Sequence, residues 1–244
     1  MRLRPDPRYG DLVVRGMLVV LLVVSFGLLG DVIVVHGAMS ATYTGISNAI
    51  QLVASAATVG AAAWVYFHRN PSLFVAHGTF AGATWTLANG FWYAYLMVIG
   101  EGLNYPTVAD LGFAGAFFFL TAGILEGQAR GHLSGWVAVS VAVPLLVFGF
   151  WPVILSGVNA KTITTLIMFV LATVLLSEAL LRSVYRHPPL FAAIVAFVLA
   201  HLFNSLTSTL VNPPWVTHAA GALAAIAFSL FALGFYGYTT EGRA

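Results

Sequence analysis

The stretch "LVVRGMLVVLLVVSFGLLGDVIVV", residues 12–35, decides the fold class. It carries one arginine near its start and one aspartate near its end, and almost everything between is aliphatic. A helix needs about 20 mostly apolar residues to cross a bilayer, so this run is long enough. The apolar core of a signal peptide is roughly 7–15 residues long and ends in a small-residue cleavage site. The run exceeds that length and no such site follows it. It therefore reads as a retained first span, entered from the basic segment "MRLRPDPRYG".

Composition extends that reading to the whole chain. Hydrophobic residues make up 60% and charged residues 7%, with a mean hydropathy of +0.92. Soluble domains carry about 25% charged residues, so this chain cannot build a water-facing surface and must be solvated by membrane lipids. The net charge of +2 is spread along the sequence, which leaves no basic patch for nucleic acid. With 0 cysteines, disulfides, thiolate metal sites and iron–sulfur clusters are excluded.

Eight segments qualify as spans, at 12–35, 46–67, 73–99, 108–128, 133–156, 162–184, 189–211 and 215–238. The expected fold is all-α: one polytopic domain, residues 1–244, with eight transmembrane helices and short connections. Sequence neighbours are then expected to be antiparallel neighbours in space. The positive-inside rule sets the orientation. With the N-terminus inside, Arg2, Arg4, Arg8, Arg15, Arg69, Arg130, Arg182, Arg186 and Arg243 fall on the cytoplasmic side, and Lys161 falls in an outer loop. Both termini are expected in the cytoplasm, in a multi-pass protein of the cell (cytoplasmic) membrane.

Small residues mark the expected packing faces. Residues 54–63 are nearly all small, and Gly78/Gly82 and Gly123/Gly127 are GxxxG pairs. Such residues let helix backbones approach closely in lipid, here between helices of one chain. "TWTLANGFW" (84–92) resembles "TSTLVNPPW" (207–215), but Asn89 lies in mid-span and Asn212 at a span end. That depth mismatch argues against a repeat.

Polar groups inside a bilayer are costly and mark candidate sites. By depth they form three layers. Asp31, His36, Glu101, Asp110, Lys161 and His218 are outer. Asn89, His201, Asn204 and Ser205 are central. His77, Glu126 and Glu178, with His68, His132 and His187, are inner. The candidate ligand-binding residues are Asp31, Trp85, Asn89, Asp110, His201, Asn204 and His218. Most other Trp and Tyr residues fit an interfacial aromatic belt. Trp85 lies deeper and is placed to line a cavity with Asn89.

Several chemistries can be weighed from the same residues. His36 and His218, at one depth on spans one and eight, are the best pair for a haem iron, but their position near the interface favours solvated or hydrogen-bonded histidines. A haem- or quinone-binding anchor of a redox complex stays open. A transporter would draw on Asp31, Glu126 and Glu178, which lie at different depths. Neither HExxH nor GxSxG occurs, so no hydrolase motif is present. No metal set is expected, and no catalytic residue is assigned. A retinal Schiff base needs a buried lysine, and Lys161 is the only lysine.

The segment "YPTVADLGF" (105–113) reads as a helix start. Thr107 stands at the N-cap, Asp110 at N3, and Pro106 directs the incoming chain. The carboxylate also complements the positive end of the helix dipole. A second role for Asp110 at an outer ligand site is compatible with this.

The longer run "ANGFWYAYLMVIGEGLNYPTVADLGFAGAFFFLTAGIL" (88–125) resembles the multi-span membrane input regions that precede PAS, diguanylate cyclase and histidine kinase domains in prokaryotic signalling proteins. The likeness rests on Trp92, Tyr93, Tyr95, Pro106, Thr107, Ala109 and Asp110. Thr107 stands where those regions usually have Ser, and Gly112–Phe113 where they have Tyr-Leu. "LAHLFNS" in span seven replaces an acidic residue common there. The resemblance implies a sensory role. With the outer polar layer, the short loops and the absence of catalytic motifs, the expectation is a non-enzymatic sensory or accessory module that binds a small or lipophilic ligand, docks a partner protein, or does both. Those regions are followed by an output domain, which the sequence to Ala244 does not contain. The expectation is a module acting on a membrane or cytoplasmic protein partner, a piece of a larger signalling protein, or a related scaffold recruited as a subunit of a membrane complex.

Overall fold

The computed structural model describes residues 7–35, 41–99, 107–128, 131, 133–182, 184–207 and 214–238. These form eight α-helices: α1 Pro7–Val35, α2 Ala41–His68, α3 Leu73–Ile99, α4 Val108–Gly127, α5 Gly135–Ser156, α6 Ala160–Leu181, α7 Pro188–Thr207 and α8 Pro214–Tyr236. A short 3-10 turn, Val184–Arg186, links α6 to α7. No strand occurs among the described residues. The protein is an all-helical membrane protein, and 7 of its helices are long and apolar enough to cross a bilayer. The exception is α3, whose apolar length is broken by His77, Thr79, Thr84, Thr86 and Asn89.

The helix boundaries follow local chemistry. At α5, the Ser134 side chain accepts from the Trp136 N–H at 3.3 Å. At α6, Asn159 Oδ1 accepts from the Thr162 N–H at 3.0 Å, and Thr162 Oγ1 accepts from the Asn159 N–H at 2.9 Å. Prolines open α7 and α8, where a missing N–H costs nothing. Gly157, at φ 72, lets the chain leave α5.

Several boundaries differ from expectation. Helix α6 stops at Leu181, short of 184, because Arg182 leaves helical geometry at φ −102 and ψ 19. Its guanidinium turns to α4 and donates to the Leu125 carbonyl at 3.2 Å. Helix α8 stops at Tyr236, where Gly237 turns the chain. Lys161, expected in a loop, sits exposed in the first turn of α6. Pro144 and Pro152 both lie inside α5, Pro152 close to its C-terminal end.

The packing order is not simply sequential. Helices α2, α3, α4, α6, α7 and α8 close a ring in which each touches the next and α8 returns to α2. Helix α5 packs on α6 outside the ring, so α4 lies beside α6 rather than its sequence neighbour. Helix α1 leans mainly on α8. Accordingly 72% of the α8 span is buried, against 17% for α1 and for α5. The outer faces of those two helices carry exposed Leu12, Met17, Val20, Val147 and Ile154, the surface a lipid solvent requires.

The small residues lie where helices of this chain meet. A Cβ on Gly78 would enter the Phe235 ring of α8, and one on Gly82 would lie 3.0 Å from Val59 of α2. Along α4, Gly112, Gly115, Gly123 and Gly127 face Ala88, Thr84, His77 and Phe74 of α3 in turn. The residue order reverses between the two helices, so they are antiparallel, with α4 presenting a glycine seam. Both GxxxG pairs therefore serve internal packing.

Polar contacts tie the ring to α1. Ser25 and Ser229 share a buried hydroxyl–hydroxyl bond of 3.1 Å. At the arginine-bearing end, Asp11 of α1 accepts from the Tyr236 hydroxyl at 2.6 Å and pairs with Arg69. Thr58 Oγ1 donates to the Phe228 carbonyl at 2.7 Å, linking α2 to α8.

Candidate functional site: a cavity within the helix ring

Phenylalanines fill the middle of the ring. Phe117, Phe169, Phe197, Phe228, Phe231 and Phe235 are all nearly inaccessible. Phe117 and Phe197 have ring centroids 4.5 Å apart, and Phe197 and Phe228 are 5.5 Å apart. At the end of the bundle away from the arginines this plug stops, and the ring surrounds a half-open cavity of about 190 Å³.

All six ring helices supply its wall. Asn48 and Gln51 come from α2, Trp85, Asn89 and Trp92 from α3, and Asp110 and Phe113 from α4. Thr164, Thr165 and Met168 come from α6, and Ala200, His201, Asn204 and Ser205 from α7. Helix α8 adds Thr217, Ala220, Gly221 and Ala224. Gly221 matters by its lack of a side chain, since a Cβ there would lie 2.9 Å from both Gln51 Nε2 and Ser47 Oγ.

Trp85 and His201 rest on the phenylalanine plug. Trp85 lies 4.6 Å from Phe113, 4.9 Å from Phe197 and 5.1 Å from Phe228 by ring centroid. His201 meets Phe117 edge-on at 5.5 Å and Phe169 at 5.7 Å. Its Nε2 is 3.4 Å from Ser205 Oγ. Asp110 works at its own helix end: its Oδ2 accepts from the Thr107 N–H at 2.6 Å and from Thr107 Oγ1 at 3.0 Å. Thr107 and Asp110 thus close the expected capping box, while Pro106 lies outside the described residues.

The polar atoms of the wall are unevenly satisfied. The Trp85 indole nitrogen and the side-chain amide nitrogens of Asn48 and Asn89 are buried without a hydrogen-bond partner. Asn89 is only 4% exposed. Buried polar groups are nearly always paired, and each exception calls for an explanation. Three of the exceptions belong to residues that line the cavity, although the nitrogens themselves are turned away from its accessible space. Among the described residues the wall contains one carboxylate, Asp110, and no Lys or Arg.

Of the residues singled out from sequence, Trp85, Asn89, Asp110, His201 and Asn204 meet at this cavity. Asp31 does not, because it is exposed on α1, outside the ring. His218 is half-buried on α8 and is not part of the lining. His36, its proposed haem partner, lies outside the described residues, as do Glu101, His132 and Asn212. Glu126 faces His77 at 3.8 Å, and Glu178 pairs with Arg182 at 3.3 Å. Neither carboxylate reaches the cavity.

The sequence reading missed the α2 and α6 contributions. Asn48 and Gln51, one helical turn apart inside an apolar span, were the available signal for α2. Thr164 and Thr165 gave a weaker one, because Thr is common in membrane helices. Among the described residues no three His, Cys, Asp or Glu side chains converge as a metal site. No family model, no curated protein and no solved structure matches this chain.

Proposed function

We propose that the protein is a sensory or accessory module of the cytoplasmic membrane in a prokaryotic cell, binding a small or lipophilic ligand in the ring cavity. One observation carries the reading: every ring helix contributes to the cavity wall. An occupant would touch all six helices together and so bias how they pack. The bias would reach a protein partner at the opposite, arginine-bearing end. In this reading α3 is the eighth span, its polar residues sheltered by the ring. The arginines lie inside with both termini, and the cavity lies in the outer half. The likeness of residues 88–125 to membrane input regions of signalling proteins supports the same role.

Two experiments test it. The chain has 0 native cysteines, so single-cysteine labelling is clean. Lys161→Cys should react with a membrane-impermeant maleimide in intact cells, and Arg186→Cys only after permeabilisation; the reverse pattern refutes the orientation. For the ligand, the protein purified with its native lipids should release a small molecule in native mass spectrometry. Ala220→Phe, which fills the cavity, should not. If nothing is released and no cellular metabolite fraction raises the melting temperature of the wild type, the ligand reading is wrong.

A second reading, the quinone-binding anchor of a redox complex, draws on Trp92, Phe113 and Met168 in the wall, which suit a flat ring. It predicts that the released molecule is a quinone. The haem version gains no support from the described lining of this cavity, in which His201 is the one histidine.

A further inference from the structure

The bundle has a second hollow at its arginine-bearing end. It is a half-open pocket of about 250 Å³ between the 3-10 turn that enters α7 and the last turn of α8. Arg186 and His187 stand on one side, and Gly234, Gly237 and Tyr238 on the other. A Cβ on Gly234 would lie 2.6 Å from the Leu190 side chain, so glycine there lets α8 close against α7. Beside Gly237 the space is open, because an added Cβ would meet only carbonyls of its own turn. Tyr238 is held by the hydrogen bond from Gln128 at 2.7 Å and by the His187 ring, edge-on at 5.2 Å.

Charge gives this pocket its chemistry. Arg15 and Arg69 pair with Asp11, and Arg182 pairs with Glu178. Arg186 is exposed and has no carboxylate partner among the described residues. The described lining holds no Asp or Glu. The α7 span begins here at Pro188 and the α8 span ends here at Tyr236, so the pocket stands at the headgroup level. Basic pockets between membrane helices at that level bind anionic headgroups, and a guanidinium can match a phosphate with two parallel hydrogen bonds. Pro188, Ala192 and Leu199 are exposed on one face of α7. They lead from the pocket into the bilayer, a track for an acyl chain that a free phosphate would not need.

We propose that this pocket seats an anionic phospholipid of the adjoining leaflet, with its phosphate on Arg186 and an acyl chain along α7. The site is separate from the ring cavity and does not depend on what that cavity holds.

The test titrates the full-length protein, delipidated in a neutral detergent, with dioleoylphosphatidylglycerol and follows binding by native mass spectrometry. The wild type should hold this lipid on the order of tenfold more tightly than Arg186→Gln, as loss of one charge-assisted hydrogen bond would give. Gly237→Leu, which puts a side chain into the open space, should weaken binding similarly. Arg15→Gln removes the same charge at the same end and should bind as the wild type does. Circular dichroism should show wild-type helix content in all three; if Gly237→Leu fails to fold, the contrast between positions 186 and 15 decides. Equal losses at those two positions would mean diffuse attraction to basic residues and would overturn the site. Unchanged binding in Arg186→Gln, or in folded Gly237→Leu, would overturn it too. Dioleoylphosphatidylcholine bound as tightly as the anionic lipid would overturn the ligand class. Displacement of the lipid by millimolar inorganic phosphate, dependent on Arg186, would assign the pocket to a free phosphate and overturn the lipid.

Discussion

The glycine seam between α3 and α4 makes a quantitative demand. A Cβ on Gly112 would lie 2.7 Å from the Ala88 Cβ and 2.9 Å from the Thr84 carbonyl oxygen. Carbon atoms rest at about 3.5–4.0 Å, so Gly112→Ala must push the helices apart by roughly 1 Å. Overpacking of this kind costs about 1–3 kcal/mol. Against that, alanine gains about 0.8–1.0 kcal/mol over glycine in a helix. The net expectation for Gly112→Ala is a loss of about 0–2 kcal/mol. Gly60, in α2, has no neighbouring atom within 4 Å of its added Cβ, so Gly60→Ala should keep the gain and stabilise. The two substitutions are chemically identical and should differ by about 1–3 kcal/mol. Exchanging the methyl group, as Ala88→Gly with Gly112→Ala, removes the shorter clash and leaves the carbonyl contact. The pair should be more stable than the sum of its parts by about 1 kcal/mol, a coupling expected only for side chains in contact. Intrinsic tryptophan fluorescence during heating in detergent reads the wild type and the four variants, Ala88→Gly alone included, with roughly 2–4 °C per kcal/mol for a chain of this size. Equal shifts at positions 112 and 60, or strict additivity in the pair, would refute the seam.

Three further expectations follow from separate contacts. Asp110→Ala removes the acceptor used by the Thr107 N–H and should cost about 1 kcal/mol, whereas Asp110→Asn keeps an acceptor and should lose only the charge contribution, about 0.3–1 kcal/mol; equal melting temperatures for the two would show that the charge does more than cap. Ser229→Ala breaks the buried bond to Ser25 and should cost about 0.6 kcal/mol, the average for hydroxyl bonds between membrane helices; limited proteolysis should then cut the α1–α2 connection faster, and an unchanged rate would count against this bond holding α1 to α8. At Tyr238, outside the spans, burial pushes the phenol above its usual 10.0, opposed by the hydrogen bond from Gln128. A pKa raised by folding adds stability that is intact below about pH 10 and lost as pH rises through the folded value, so unfolding midpoints between about pH 9 and 11 should fall more steeply in wild type than in Tyr238→Phe. Parallel slopes would refute that account.

The apolar runs made the helices legible because lipid leaves the backbone no alternative partner to itself. They also placed α3 at 73–99, where the structure has it. What they could not carry was the order of packing. Nothing in an apolar run says which helix it will touch, and α5 proved to lie outside the ring, with α4 against α6. The glycines were a partial guide, since a missing side chain marks a close approach without naming the partner. Gly123 and Gly127 face α3, whereas Gly78 and Gly82 on one face of α3 address α8 and α2 respectively. Boundaries failed where a side chain found a tertiary partner, as Arg182 did on α4.

The residues of the candidate cavity were legible for a different reason. The same feature that weakens α3 as a span, its interruption by Thr, Asn and Trp, gives the cavity Trp85, Asn89 and Trp92. A polar side chain in a membrane helix costs free energy unless something offsets it, and the protein interior supplies no partner for the Trp85 and Asn89 nitrogens. The cost would be simple to remove, because leucine at position 89 would satisfy both packing and hydropathy. Where a sequence departs from its own local rules, the departure tends to fall on function. Asn89→Leu therefore separates two accounts of this residue. If the amide serves an occupant, the empty variant should melt higher than the empty wild type, by up to the roughly 1–3 kcal/mol that an unpaired buried group costs. If the amide holds the fold through contacts of its own, the variant should melt lower, and the cavity would then be a by-product of packing rather than a site.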